Sequence, residues 1–359
     1  MNSLEVNRQN FSRNSYSQNK REYFSVDVAR LFCALGIVAF HVFEGTISHF
    51  DLWWQVPYFM LTRISVPFFC VASGFFFFNK AESIGIKKLL HFEVRMIKLL
   101  VLWSLAYFPL KISEFLQDGA RFSVKVLWFY VVSFFREGGY YHLWYMIGII
   151  LAVPIAVLLL RRKYYEVIFA LSVTLILFGT VLDVLLHTQS NNNIVNLLLE
   201  KYVLLFGNST KNAFIYCLPY VCIGGVISKL EIKKKIEEKR TILLGLSVIL
   251  YAIEVFTLTN SHIVHLNMFF FVNLTVSFGF CSLLSMPCPE ISSKRIRLIS
   301  EYVYFIHPMV IWIFRDLLGT KSYRLFFFTT SMSLFTAIVL SFIKGKKQKN
   351  EKSDVGLWH

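Results

Sequence analysis

Ten apolar runs, each near twenty residues long, constrain this chain more than any other feature. They lie near 26–44, 56–78, 97–116, 142–160, 164–187, 212–228, 241–259, 266–286, 298–316 and 325–343. About 20 helical residues cross a hydrocarbon core of ~30 Å. Lipid offers no partner to backbone N–H and C=O groups, so such runs must be helices. The expected fold is therefore all-α: a polytopic membrane protein with about ten transmembrane helices. Composition agrees, with 56% hydrophobic and only 16% charged residues, where a soluble domain carries about 25% charge. A soluble globular enzyme, a disordered chain and a disulfide scaffold are excluded. The stretch 122–135 is apolar but short, and is expected as a helix lying at the outer surface.

Charge placement orients the spans. With the N-terminus inside, and with Lys98 and Lys111 near the ends of run 97–116 counted with its flanking segments, the cytoplasmic side holds 26 Lys and Arg and the outer side 8, leaving Arg30, Arg63 and Arg315 within spans. That bias puts both termini in the cytoplasm. It also accounts for the net charge of +15 without nucleic acid as a partner. Residues 1–25 lack the features of a signal peptide and read as a polar cytoplasmic tail. Residues 26–343 form a single membrane domain, and 344–359 a basic cytoplasmic tail. The six cysteines, Cys33, Cys70, Cys217, Cys222, Cys281 and Cys288, show no Cys-x-x-Cys spacing and read as small core residues. Phosphate-binding and dinucleotide-binding glycine motifs are absent, as is a His-Glu-x-x-His zinc motif. His262 and His265 sit in an expected outer turn with no carboxylate nearby, so no metal is expected.

An ionisable group inside a span costs roughly 2.5–3.5 kcal/mol on insertion scales, which makes such groups functional candidates. Arg30 and His41 share the first span. Eleven residues return to within about 20° on a helix, so both project from one face, ~16 Å apart along the axis. Arg63 enters the second span to a depth like that of His41. It could bind an anion or stabilise an anionic intermediate, or form a structural ion pair. The same span ends in PFFCVASGFFFF, where Ser73-Gly74 signals close approach of a helix or ligand. His91, Arg95 and Lys98 follow at the expected cytoplasmic edge. Arg95 and Lys98 share a helix face and suit phosphate groups, or simply snorkel to the interface. His142 and Trp144 open the fourth span, and Lys211-Asn212 the sixth, on the expected outer side. His307-Pro308 lies mid-span, where proline frees a backbone carbonyl. Glu301, Glu254 and Asp183 are candidate partners for these cations and histidines.

Four motifs, in order, resemble the acyltransferase 3 family of ten-helix membrane proteins. The first span matches its opening pattern of an acid, Arg and then His, here Asp27, Arg30 and His41. PFFCVASGFFFF resembles its Phe-Phe-x-x-Ser-Gly-Phe signature, YHLWYM its His-Leu-Trp-Tyr/Phe motif, and SEYVYFIHPMVI its Tyr-x-x-x-Ile-His-Pro motif. The layout is further similar to the membrane domain of vancomycin-resistance serine racemases, through TRISVP and the Thr-Lys-Asn stretch at 210–212. The soluble racemase domain has no counterpart in this sequence. The resemblance implies transfer of an acyl group, usually acetyl, from cytosolic acyl-CoA to a glycan or other acceptor. It implies His41 as catalytic base or acyl relay and Arg30 as its essential companion. The family's cytoplasmic Arg-x-x-Arg for acyl-CoA stands here as Arg95-x-x-Lys98, which keeps the charge and loses one planar fork. Ser73 and Trp144 would line the site.

The functional expectation is a membrane O-acyltransferase in a bacterial plasma (inner) membrane. Acetyl-CoA or another acyl-CoA would be the donor substrate, with no bound cofactor. A cell-envelope polysaccharide or a lipid-linked sugar would be the acceptor. The expected catalytic residues are His41, Arg30 and Arg63. Arg95, Lys98 and Ser73 are expected to bind acyl-CoA, and His142, Trp144, Lys211 and His307 the acceptor. The alternative is a non-enzymatic module that binds or transports a small polar solute such as an amino acid.

Overall fold

The computed structural model describes residues 23–79, 85–117, 119, 123–188, 192–207, 209–229, 239–261, 266–287, 289, 292–319 and 323–355. Among them the chain forms twelve helices and no strand. These are α1 (Phe24–Phe43), α2 (Leu52–Phe78), α3 (Ile86–Gln117), α4 (Val124–Glu137), α5 (Trp144–Leu160) and α6 (Tyr165–His187). They continue with α7 (Asn193–Phe206), α8 (Leu218–Lys229), α9 (Arg240–Asn260), α10 (Val272–Ser285), α11 (Lys294–Leu318) and α12 (Tyr323–Val355). A short 3₁₀ turn covers Ile47–His49, and one π turn, Ala213–Cys217, leads into α8. Residues 1–22 of the expected tail, His262, His265, Cys288 and residues 356–359 lie outside the described residues.

Seven helices are long and apolar enough to cross a membrane: α1, α2, α3, α6, α9, α11 and α12. The shorter apolar segments 144–160, 213–229 and 272–285 fall on the three remaining expected runs. The protein is thus an all-α, multi-pass membrane protein. α3 begins at Ile86, well before the apolar run, because its Lys, Leu, Glu and Arg residues are good helix formers and extend it past the apolar stretch.

Two helices lie outside that set. α4 was expected at the surface; it buries Val126 and leaves Val124, Trp128, Phe129 and Phe135 exposed. α7 was not expected. It is amphipathic, buries none of its residues, and starts where the Asn192 side chain accepts from the Ile194 and Val195 amides at 2.9 and 3.3 Å. Its 14 residues, broken by Glu200 and Lys201, are too short and too polar to read as a span.

The tightest packing is between α2 and α8. A Cβ added to Gly74 would collide with the Val221 carbonyl, and one added to Gly224 with that of Val71. The Ser73-Gly74 signal is therefore met by a neighbouring helix backbone. Around this seam Phe68 and Phe75 meet Phe280 with ring centroids 5.6 and 5.2 Å apart.

Two of the expected acidic partners are engaged elsewhere. Asp183 is fully buried and accepts from the Thr210 hydroxyl at 2.8 Å and from the Asn267 and Met268 amides at 2.5 and 3.0 Å. Glu254 accepts from the Phe270 and Phe271 amides at 2.6 and 2.8 Å, ahead of α10. Neither pairs with an Arg or His among the described residues. Each carboxylate satisfies loop amides that lipid could not. Asp183 thereby fixes the loop that carries Lys211. The five described cysteines are all buried.

Candidate functional site

α1 places Asp27 and Arg30 near one end and His41 near the other, as its 3.6-residue period requires. At the first end Asp27 is held by Arg297 through two bonds of 3.0 and 2.9 Å, by the Ser293 hydroxyl at 2.6 Å, and by Arg30 at 3.3 Å. Arg30 also lies over the Phe76 ring at 4.7 Å. One turn back on α2, the Ser73 hydroxyl meets that of Tyr145 at 3.1 Å.

A row of rings continues from there. Tyr145 and Tyr304 have centroids 6.0 Å apart, and Tyr304 lies 5.5 Å from His142. His142 lies 5.8 Å from His307, and His307 stacks on His41 at 5.4 Å and 21°. Three histidines from three distant sequence segments are thus brought together, with Tyr141 tilted against His41 at 4.7 Å. The Tyr304 hydroxyl donates to the His142 carbonyl at 2.5 Å and fixes the loop before α5. The Tyr107 hydroxyl donates to the Phe305 carbonyl at 2.5 Å, next to the carbonyl that Pro308 frees. The His307 Nδ1 faces the Val303 carbonyl at 3.1 Å, so its proton sits on Nδ1. That leaves Nε2 as an acceptor, and this atom has no hydrogen-bond partner among the described residues. His142 sits in the turn before α5, fully enclosed, and neither of its ring nitrogens has a partner among the described residues. Buried polar atoms without partners are rare and costly.

His41 faces a cavity of about 440 Å³, lined also by Glu44, Tyr141, Trp144, Lys211 and Arg315. His41 Nδ1 and Glu44 Oε2 are 3.8 Å apart, a distance one water can bridge. Burial works against ionising Glu44. The adjacent His41, Lys211 and Arg63 outweigh it and hold the carboxyl down at about 2. Burial lowers the Lys211 ammonium from its ordinary value, and Glu44 opposes that shift. Arg63 is buried, with its guanidinium over Phe40 at 4.6 Å and Phe59 at 5.6 Å. Lys211 approaches the same Phe40 ring at 5.1 Å. No ion pair to Arg63 exists among the described residues, so aromatic faces carry this cation.

Of the residues expected from sequence, His41, His142, His307, Arg63, Trp144 and Lys211 gather at this end. Ser73 lies partway along the row and Arg30 at the opposite end. His91, Arg95 and Lys98 lie on the exposed surface of α3, away from the histidines. Glu44, Tyr141, Tyr145, Tyr304 and Arg297 were not anticipated. Glu44 had a signal, three residues after His41, and so did Tyr141, beside His142. Arg297 had none, since its partner Asp27 lies 270 residues earlier. Among the described residues no group of three His, Cys, Asp or Glu has a geometry that would hold a metal ion.

A family model described as an acyltransferase domain matches residues 23–344. Two curated relatives from Enterococcus faecalis, both described as amino-acid racemases, are each 26% identical to the chain. One match runs over 341 residues and covers 91% of this chain and 46% of the relative. The other runs over 214 residues and covers 57% and 28%. The chain therefore spans less than half the length of these relatives. No solved structure matches.

Proposed function

The chain belongs to the acyltransferase domain family, and from that premise we propose that it moves an acyl group, acetyl by expectation, from acyl-CoA to a hydroxyl of a cell-envelope polysaccharide or lipid-linked sugar. The observation that carries this reading is His41, flanked by Glu44 and backed by His307, facing a cavity with Lys211 and Arg315 in its wall.

Histidine is suited to proton transfer near neutral pH. The Glu44 carboxylate favours the His41 tautomer with its proton on Nδ1, which leaves Nε2 as the base. His41 takes the proton of the acceptor hydroxyl as that oxygen attacks the thioester carbonyl. A C–O bond forms and the carbonyl becomes an oxyanion. Arg63 and Lys211 supply positive charge at that end of the bundle for the developing anion. The intermediate collapses by breaking the C–S bond, and the departing CoA sulfur takes the proton from His41. The products are the acyl ester and free CoA. The aromatic surroundings keep water from the thioester.

The row of rings from Arg30 through Ser73 and Tyr145 to His142 is the path proposed for the pantetheine arm. Arg95 and Lys98 would hold CoA phosphates at its entrance. With the positive-inside orientation that entrance faces the cytosol of a bacterium, and the His41 cavity faces outward across the inner membrane.

The test uses membrane vesicles holding the full chain, radiolabelled acetyl-CoA and envelope extract. The reading predicts that label leaves CoA for the extract, and that folded His41→Ala protein does not move it. Equal transfer by His41→Ala, or none by folded wild type, would overturn the reading.

A second reading is a binding or transport site for an amino acid. It draws on the name of the curated relatives and on the opposite charges of Glu44 and Lys211 in one cavity, which would match a zwitterion. It predicts uptake of labelled amino acid into vesicles without CoA. Uptake no greater than in empty vesicles for every amino acid would eliminate it.

A further inference from the structure

A second cavity, of about 360 Å³, adjoins the one at His41, and the two share Tyr141, Trp144 and Lys211. Its remaining walls are mostly apolar: Phe135 of α4, Leu151 of α5, Leu205 and Phe206 of α7, and Phe214 of the π turn. Two of its polar members are engaged locally. The Asn212 side chain accepts from the Phe214 and Ile215 amides at 3.0 and 2.9 Å, and Ser209 accepts from the Lys211 amide at 3.1 Å. Glu137 also lines it.

α4 and α7 flank this cavity. Both are short helices of 14 residues that turn apolar side chains outward. Phe135 is 74% exposed and Leu205 75% exposed, so the cavity wall runs on into the apolar outer surface of the helix bundle. The other end of the space meets the His41 cavity. The run of Phe135, Leu151, Leu205, Phe206 and Phe214 on one side of the space suits a hydrocarbon chain.

Building on the acyl-transfer reading above, we infer that this cavity seats the hydrocarbon chain of an amphiphilic acceptor entering from the bilayer between α4 and α7. The hydroxylated head group then lies at Lys211 and Trp144, with its hydroxyl turned to His41. The acceptor class is a lipid-linked hydroxyl compound rather than a free glycan.

The probe is an octyl β-glucoside bearing a diazirine on its chain, photolysed with the full-length protein in vesicles. Adducts should concentrate on 135, 151, 205–206 and 214. They should fall about tenfold in Leu151→Trp or Leu205→Trp, which fill the space; the second variant lies on a surface helix and guards against a folding defect in the first. Adducts spread equally over other lipid-facing positions, such as Ile249 and Phe256 of α9, and unmoved by both variants, would overturn the proposal. A parallel assay compares acetyl transfer from acetyl-CoA to octyl β-glucoside and to glucose. KM should be about tenfold lower for the glucoside, with the ratio brought near unity by either Trp variant. Equal KM values with transfer intact would remove the seat and leave the acyltransferase reading standing. Adducts confined to the seat, with no acetyl transfer to either acceptor, would support the seat and sink the acyltransferase reading.

Discussion

The two ends of α1 treat buried charge in opposite ways. At the first end Asp27 is met by two arginines and a serine, in bonds of 2.6 to 3.3 Å. At the other, two buried histidines have ring nitrogens without a partner, and a buried arginine lies only over phenylalanine rings. Two adjoining cavities lie at the second end. At the first end the Arg30 Nε also lacks a partner among the described residues, but the carboxylate is met on both oxygens, and such a network fixes how helices meet. The unpartnered nitrogens of His142 and His307 lie behind His41, which lines the cavity, and under the proposed function that end is where a substrate binds. The charged residue within a span is thus not one kind of signal, and its partners decide which kind it is.

The largest expected effect separates the two ends by activity. His41→Ala should lower acetyl transfer by roughly 10²–10⁴ while its melting midpoint in detergent stays at the wild-type value. Asp27→Ala should do the reverse in kind, by leaving Arg30 and Arg297 without their shared carboxylate. Breaking a buried pair costs about 3–5 kcal/mol. Because Arg297 is 43% exposed, a loss near about 3 kcal/mol is expected, read as a lowered midpoint in denaturant.

How much of this contrast is legible in the sequence depends on how far each partner lies along the chain. The ten apolar runs show because their length is set by the bilayer. His41, His142 and His307 show because each carries a titratable ring into apolar sequence. The bond from Arg297 to Asp27 does not show, since nothing local to either residue encodes it. Nor do the partners of Asp183 and Glu254, which are backbone amides and carry no residue-type signature. α7 escapes for a different reason. Its apolar residues are exposed rather than buried, so neither span length nor a buried stripe reveals it.

Replacing His142 sharpens the comparison. In His142→Phe the two unpartnered nitrogens disappear and the ring volume is nearly kept, so stability in denaturant should stay within about 0.5 kcal/mol of wild type or rise. Acetyl transfer should fall at least about tenfold, because His142 flanks His307 behind the proposed base. A large loss of stability instead would make the histidine end a structural network like the Asp27 end.

The smallest effect is a pH dependence at Glu44. Its carboxyl is held at about 2 in the folded protein, against 4.5 as the ordinary value. A depressed carboxyl stabilises the fold above its unfolded pKa, and the contribution fades as pH falls through the folded value. The difference in melting midpoint between wild type and Glu44→Gln should therefore be constant above pH 4.5 and close as pH falls toward about 2. A difference that persists unchanged to the acid end would remove Glu44 as a charged partner of His41 and Lys211.

The most direct test of the claim that bonds are made at the His41 end is chemical rescue. His41→Ala opens space beside a cavity large enough for a small base. Label transfer from acetyl-CoA by this variant should be near zero and should rise with added imidazole, saturating as the cavity fills, while wild type is unaffected. Transfer by His41→Ala at the wild-type rate without imidazole would contradict the account.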